Sequence, residues 1–397
     1  MSTIQEVNKG ESLISQQVQR VSPSGIRKFF DLIASMEGVI SLGVGEPDFA
    51  TPRNICEAAI TALEKGYTMY TSNLGMPELR QELSRHLKET HSLDYDPATE
   101  LLITVGVSEG LDLAMRAILN PGDEVIMPDP CYVSYSACVV LAGGVPVMVP
   151  TVCENNFEMS AADVEERITD KTKAILLGYP ANPTGAVMSR QKLTAIAEVA
   201  RRHQVLIISD EIYGRLVYGV EHTCMATLPK MKENTILLGG FSKAYAMTGW
   251  RIGYAAARPA IIAAMTKIHQ YTMLCAPIMG QIAAIEALKV GETSVQEMLA
   301  EYSRRRLLIV KGLNEIGLSC FEPHGAFYAF PSIKSTNMTS EEFAEKLLME
   351  EKVAVVPGSA FGQCGEGYVR LCYATSLADI EEALKRMKRF ITRHGGY

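Results

Sequence analysis

Short, mostly apolar runs recur through the middle of the chain, each trailed by a helical pattern. Residues 101–105 precede a helical stretch at 108–119. Residues 125–127 precede one at 132–142, and 174–177 precede one at 191–203. Further runs lie at 39–42, 205–208, 236–238 and 252–254. The runs are continuous and do not alternate with polar residues, so each strand must be covered on both faces. Helices on either side of a mostly parallel sheet do this, which predicts an α/β fold. A short helix is expected over 26–36, and a long helical stretch over 278–316 leads out of the alternating region. Beyond it, strands at 326–330, 353–356 and 368–372 separated by helices predict a smaller α+β domain.

With 397 residues the chain exceeds what one small core organises, so two domains are expected. A net charge of -7, with no basic run longer than Arg304-Arg305-Arg306, argues against a nucleic-acid partner. The nine cysteines lack CxxC spacing. That pattern reads as reduced thiols, with neither a disulfide frame nor a metal site. Residues 1–20 form a polar N-terminal arm without the apolar core of a signal peptide. No apolar run reaches the roughly 18 residues a membrane span needs. A cytoplasmic protein is expected.

In open α/β sheets, ligands lie beyond the carboxyl ends of the strands. The run at 236–238 ends in Gly239-Gly240, and Phe241-Ser242-Lys243 follow on a turn. Most lysines are exposed, but one held at the end of a core strand is partly desolvated. Its pKa falls and its amine becomes a nucleophile toward carbonyls. Arg251, eight positions on, offers a planar fork of donors suited to a phosphate. Carbonyl capture beside phosphate capture is what pyridoxal phosphate requires.

Other strand ends carry matching groups. Gly106-Val107-Ser108 opens a helix and reads either as a phosphate cup built from unpaired N–H groups or as an ordinary Ser-capped start. Asn182, within Asn182-Pro183-Thr184-Gly185, is either a donor to a ring hydroxyl or part of a plain turn. Asp210, in Asp210-Glu211-Ile212-Tyr213, suits a protonated pyridine nitrogen, and Tyr213 suits the ring oxygen; the alternative is an acidic first turn of a helix. Tyr132 offers a stacking face, or is simply a core tyrosine. Arg370 stands inside an apolar strand, where its charge needs a carboxylate from the protein or from a ligand.

Taken together, the string Ser242-Lys243-x-x-x-Met247-Thr248-Gly249-Trp250-Arg251, with Asn182-Pro183-Thr184-Gly185, Asp210-Glu211-Ile212-Tyr213 and residues 43–49, resembles the class I aminotransferases. These are pyridoxal-phosphate enzymes of fold type I. The likeness spans nearly the whole chain and is strongest to bacterial and archaeal aspartate, aromatic and alanine types. It implies a large domain with a mostly parallel seven-stranded sheet over residues 46–290. It also implies a smaller α+β domain from residues 21–45 and 291–397, following the arm at 1–20.

The resemblance implies roles residue by residue. Lys243 would bond to pyridoxal 5'-phosphate and then move the substrate proton. Asp210 would hold the ring nitrogen, Asn182 and Tyr213 the ring oxygen, and Tyr132 would stack on the ring. Gly106, Val107, Ser108, Ser242 and Arg251 would hold the phosphate, joined by Tyr70 from the neighbouring subunit of a homodimer with shared active sites. Arg370 would clamp the substrate carboxylate with Asn182 and the Gly45 backbone, and Phe327 would line the pocket. The implied reaction moves the amino group of an L-amino acid to a 2-oxo acid, 2-oxoglutarate being the expected acceptor, in a ping-pong cycle. N-acetyl-diaminopimelate transamination and carbon–sulfur lyase chemistry are the alternatives.

Two departures from the pattern matter. Gly240 stands where some relatives have serine, so one phosphate hydrogen bond is absent or supplied elsewhere. Residues 271–277 lack the cation that dicarboxylate specialists use, so a pocket tolerant of aromatic or neutral side chains is expected.

Overall fold

A computed structural model describes residues 13–22 and 36–394. Twelve strands are present among the described residues. Seven form one sheet: β2 (Leu101–Thr104), β3 (Glu124–Asp129), β4 (Val145–Pro150), β5 (Thr172–Leu177), β6 (Leu206–Asp210), β7 (Thr235–Gly240) and β8 (Gly253–Ala256). Their order is β2-β8-β7-β6-β5-β3-β4, and every neighbouring pair is parallel except those made by β8. Residues 101–104, 174–177 and 206–210 are fully buried, as continuous apolar runs require.

The sequence leaves β4 unmarked for a physical reason. It is the edge strand, half-exposed along most of its length, and Pro146 interrupts its donor row. Two amphipathic helices, Arg53–Glu64 and Pro77–His91, also lie outside the sequence assignment. They bury Ile55, Ala59 and Ala62, and Leu79, Leu83 and Leu87, against Phe241, Tyr245 and the helix Ile278–Val290. The helical stretch over 278–316 is two helices, Ile278–Val290 and Glu292–Glu315, meeting at Gly291. A Cβ there would press on the Tyr245 ring and the Ala287 carbonyl, so the break falls where only glycine fits.

The remaining strands are short. β1 (Ile40–Ser41) pairs in parallel with β10 (Val353–Ala354), while β9 (Tyr328–Ala329), β12 (Val369–Cys372) and β11 (Val356–Pro357) form a second small sheet. The expected single strand at 353–356 therefore divides at Val355, each half pairing into a different sheet. The C-terminal helices Ser340–Glu351 and Leu377–His394 pack on these strands through Phe343, Leu347, Met387 and Phe390. The helix expected over 26–36 falls almost entirely on residues outside the described ones. No helix among the described residues is long and apolar enough to cross a membrane.

Candidate active site

The carboxyl ends of β5, β6 and β7 open into a cavity of about 580 Å³, within the range of small-ligand sites. Three groups of side chains reach it from different parts of the chain.

At one end, β2 runs directly into the helix Gly106–Ile118, which starts two residues earlier than the sequence pattern suggests. Gly106 has φ +73°, and a Cβ on it would stand 2.7 Å from Arg251 Nη2. A glycine therefore lets the arginine approach the helix start. Arg251 gives one N–H to the Thr248 carbonyl at 3.0 Å, leaving other donors free. Val107, Ser108, Ser242 and Arg251 line this end, and it offers hydroxyls, a guanidinium and a helix N-terminus to an anion. Gly240 is packed tightly: a Cβ there would lie 3.1 Å from both the Ile252 carbonyl and Val107 Cγ2. A serine at that position would need its neighbours to give way.

At the centre stand Asp210 and Lys243. Asp210 is the last residue of β6 and is buried. Its carboxylate accepts the Tyr135 hydroxyl at 2.9 Å and the Ile212 N–H at 3.1 Å. Burial pushes its pKa up to about 6, against the opposing pull of those two donors. Lys243 Nζ donates to the Gly45 carbonyl at 2.6 Å and lies 5.8 Å from both the Tyr213 and Phe327 rings. Burial lowers its pKa to about 8, helped by Arg370 and Arg251 and opposed by Cys372 and Glu46. Tyr132 lines the wall beside them, edge-on to Tyr135.

At the other end is Arg370, 3% exposed on β12. It donates through Nη1 to Asn182 Oδ1 at 2.8 Å and through Nη2 to the Gly43 carbonyl at 2.6 Å. Its Nε has no partner, and no carboxylate among the described residues forms an ion pair with it. Such a cation is costly to bury unless an anion arrives. Because arginine only donates, Asn182 turns its oxygen toward it and keeps its amide N–H groups for another acceptor.

Not every expected residue lies where the resemblance puts it. Phe327 is set one layer back, fully buried and edge-on to Tyr213 and Tyr328; the wall itself is Tyr328. Tyr70, expected to act from a neighbouring subunit, is 79% exposed and does not line the cavity of its own chain. Tyr135 and Tyr328 were missed by sequence reasoning. Their partners lie 75 and 115 residues away, and no local signal marks them.

An amine with a lowered pKa, a buried carboxylate, an anion cradle and a buried arginine surround one cavity. The family described as Aminotransferase class I and II matches residues 37–387, and the chain belongs to it: a transferase of fold type I. The Bacillus subtilis protein named "Putative aminotransferase YugH" is 59% identical over 380 residues, covering 96% of this chain and 98% of that one. The aspartate aminotransferase of Pyrococcus abyssi is 47% identical over 381 residues, covering 95% and 98%. Among solved structures, the aromatic aminotransferase of Pyrococcus horikoshii OT3 superposes with a TM-score of 0.88 at 44% identity, covering 93% of this chain and 99% of that one.

Proposed function

We propose that this aminotransferase works with pyridoxal 5'-phosphate and moves the amino group of an L-amino acid to a 2-oxo acid in a ping-pong cycle. The observation that carries the reading is Lys243, its amine pulled to about pH 8 by burial, facing Asp210 and the uncompensated Arg370 across one cavity. The residues present fit the cofactor. When bound, pyridoxal phosphate supplies an aldehyde carbon and a ring that draws electrons from the substrate Cα.

The chain's own groups supply the rest. Lys243 would hold the cofactor's aldehyde carbon and would move the proton at the substrate Cα. Asp210 keeps the ring nitrogen protonated, and that cation in turn relieves the cost of burying its carboxylate. Asn182 and Tyr213 would donate to the ring oxygen, and Tyr132 would offer the ring a stacking face. Gly106, Val107, Ser108, Ser242 and Arg251 hold the phosphate. Arg370 clamps the substrate α-carboxylate with help from Asn182 and Gly45.

The cations lining the cavity among the described residues are Lys243, Arg251 and Arg370, and each is already committed. This supports a pocket that accepts aromatic or neutral side chains as readily as acidic ones. We also infer a cytoplasmic homodimer with Tyr70 reaching across. Each chain would divide into a large domain (46–290) and a small one (21–45 and 291–397). Exposed Tyr67, Met69, Tyr70 and Met273, with Tyr271 in the last turn of the helix Pro259–Thr272, lie on segments joined by the Asn73–Leu274 hydrogen bond at 2.7 Å and support that assembly.

The test is to add single L-amino acids to the cofactor-loaded protein and follow its visible absorbance. Tyrosine and phenylalanine are expected to bleach it at rates comparable to aspartate. Aspartate and glutamate bleaching it far faster would refute the broad pocket, and a protein that never takes up the coenzyme would refute the whole reading.

A further inference from the structure

Tyr328 is absent from the roles that the sequence suggests, yet three parts of the site converge on it. Its hydroxyl lies 2.6 Å from the Tyr213 hydroxyl and 3.5 Å from the Gly45 carbonyl. Its ring is 4.5 Å from the guanidinium carbon of Arg370. It is 1% exposed, and pairing of β9 with Cys372 of β12 fixes its backbone. A Cβ on Gly45 would collide with the hydroxyl, so the glycine leaves room for it.

A phenol has one proton to donate. Tyr213 is the nearer partner, at 2.6 Å against 3.5 Å for the Gly45 carbonyl. Either hydroxyl can donate in this pair, so Tyr328 is able to give its proton to Tyr213. That order leaves Tyr213 its own proton, and Tyr213 lines the cavity. In the reverse order Tyr213 would use its proton on Tyr328 and offer only lone pairs to a ligand oxygen. Burial pushes both phenols upward, so both remain protonated across the working pH range.

We propose that Tyr328 is a positioning residue that makes Tyr213 a donor into the cavity and holds the Arg370 guanidinium plane ready for a carboxylate. The proposal rests on the transamination reading and adds to it a residue with two separable parts, a hydroxyl acting on Tyr213 and a ring acting on Arg370.

The experiment titrates the visible absorbance of the pyridoxal-phosphate-loaded protein and measures KM for an amino acid in Tyr328→Phe and Tyr328→Leu. Tyr328→Phe removes only the hydroxyl. A weaker Tyr213 donor stabilises an anionic ring oxygen less, so the titration midpoint rises by about half to one pH unit, a three- to tenfold change in the proton equilibrium, while KM stays within about twofold. Tyr328→Leu removes the ring as well and raises KM about five- to tenfold. In a Tyr213→Phe background, Tyr328→Phe shifts the midpoint no further, since the effect passes through Tyr213.

An unmoved midpoint in Tyr328→Phe, or an equal shift in both backgrounds, overturns the hydroxyl role. An unchanged KM in Tyr328→Leu overturns the clamp. Tyr328→Met replaces that variant where circular dichroism shows it misfolded. A colourless wild-type protein refutes transamination itself; a coloured one with unmoved variants refutes only this proposal.

Discussion

The reactivity of Lys243 follows from its surroundings more than from its own chemistry. Only the neutral amine attacks an aldehyde. With a pKa near 8, the rate at which apoprotein captures pyridoxal phosphate should rise about tenfold per pH unit below 8 and level off above it. A midpoint near the ordinary lysine value would contradict the burial argument. Lys243→Ala should keep cofactor bound without a covalent link and lose at least about a thousandfold in turnover, measured against any accepted donor.

Asp210 carries the opposite burden. Its folded pKa of about 6 exceeds the unfolded value of 3.8, so between those values the folded apoprotein binds a proton that the unfolded chain does not. Stability is therefore full below pH 4 for this group and falls as pH rises toward 6, by about 3 kcal/mol in total. Asp210→Asn should make the apoprotein more stable at pH 7, seen in urea unfolding, while nearly abolishing transamination. An apoprotein destabilised by that change would show that Asp210 is already well compensated. Lys243 and Asp210 were legible in the sequence because each follows an apolar run at a strand end. Tyr135, which holds Asp210, was not.

At the scale of elements, β8 does the positioning. It lies between β2 and β7, and Gly253 sits opposite both Thr104 and Gly240. The strand thus draws the turn carrying Gly106 toward the turn carrying Ser242 and Lys243. A Cβ on Gly253 would lie 2.6 Å from the Gly106 carbonyl carbon and the Val107 nitrogen, backbone atoms with little freedom to move. Gly253→Ala should cost about 1–3 kcal/mol of stability and weaken cofactor binding. Native stability and affinity in that variant, by thermal unfolding and equilibrium dialysis, would mean the turn is softer than its packing implies. The buried strands were legible as continuous apolar runs. The helix Pro77–His91 also carried a signal, Leu79, Leu83 and Leu87 at four-residue spacing, whereas the apolar run of the edge strand β4 is interrupted by Pro146.

At the scale of the whole molecule, the exposed Tyr67, Met69, Tyr70, Tyr271 and Met273 lie on two segments tied together by the Asn73–Leu274 hydrogen bond. If two chains share their sites as proposed, Tyr70 acts in trans. Mixing Tyr70→Ala with Lys243→Ala protein should then restore activity toward about a quarter of wild type. Half of a random mixture is heterodimer, and each heterodimer has one intact site. No recovery after subunit exchange, checked by sedimentation, would place Tyr70 in its own subunit or outside the site.

The sequence by itself determined the layered α/β architecture and the string around Lys243. Strand burial and turn chemistry are local properties, readable within a few residues. Only the tertiary structure decided that Tyr135 meets Asp210, that Tyr328 meets Tyr213, and that Arg370 is buried with no carboxylate partner among the described residues. Those encounters join residues from 75 to more than 100 positions apart, or depend on what is missing around a charge. Neither is encoded in any single stretch of chain; both arise from how the strands are ordered in the sheets.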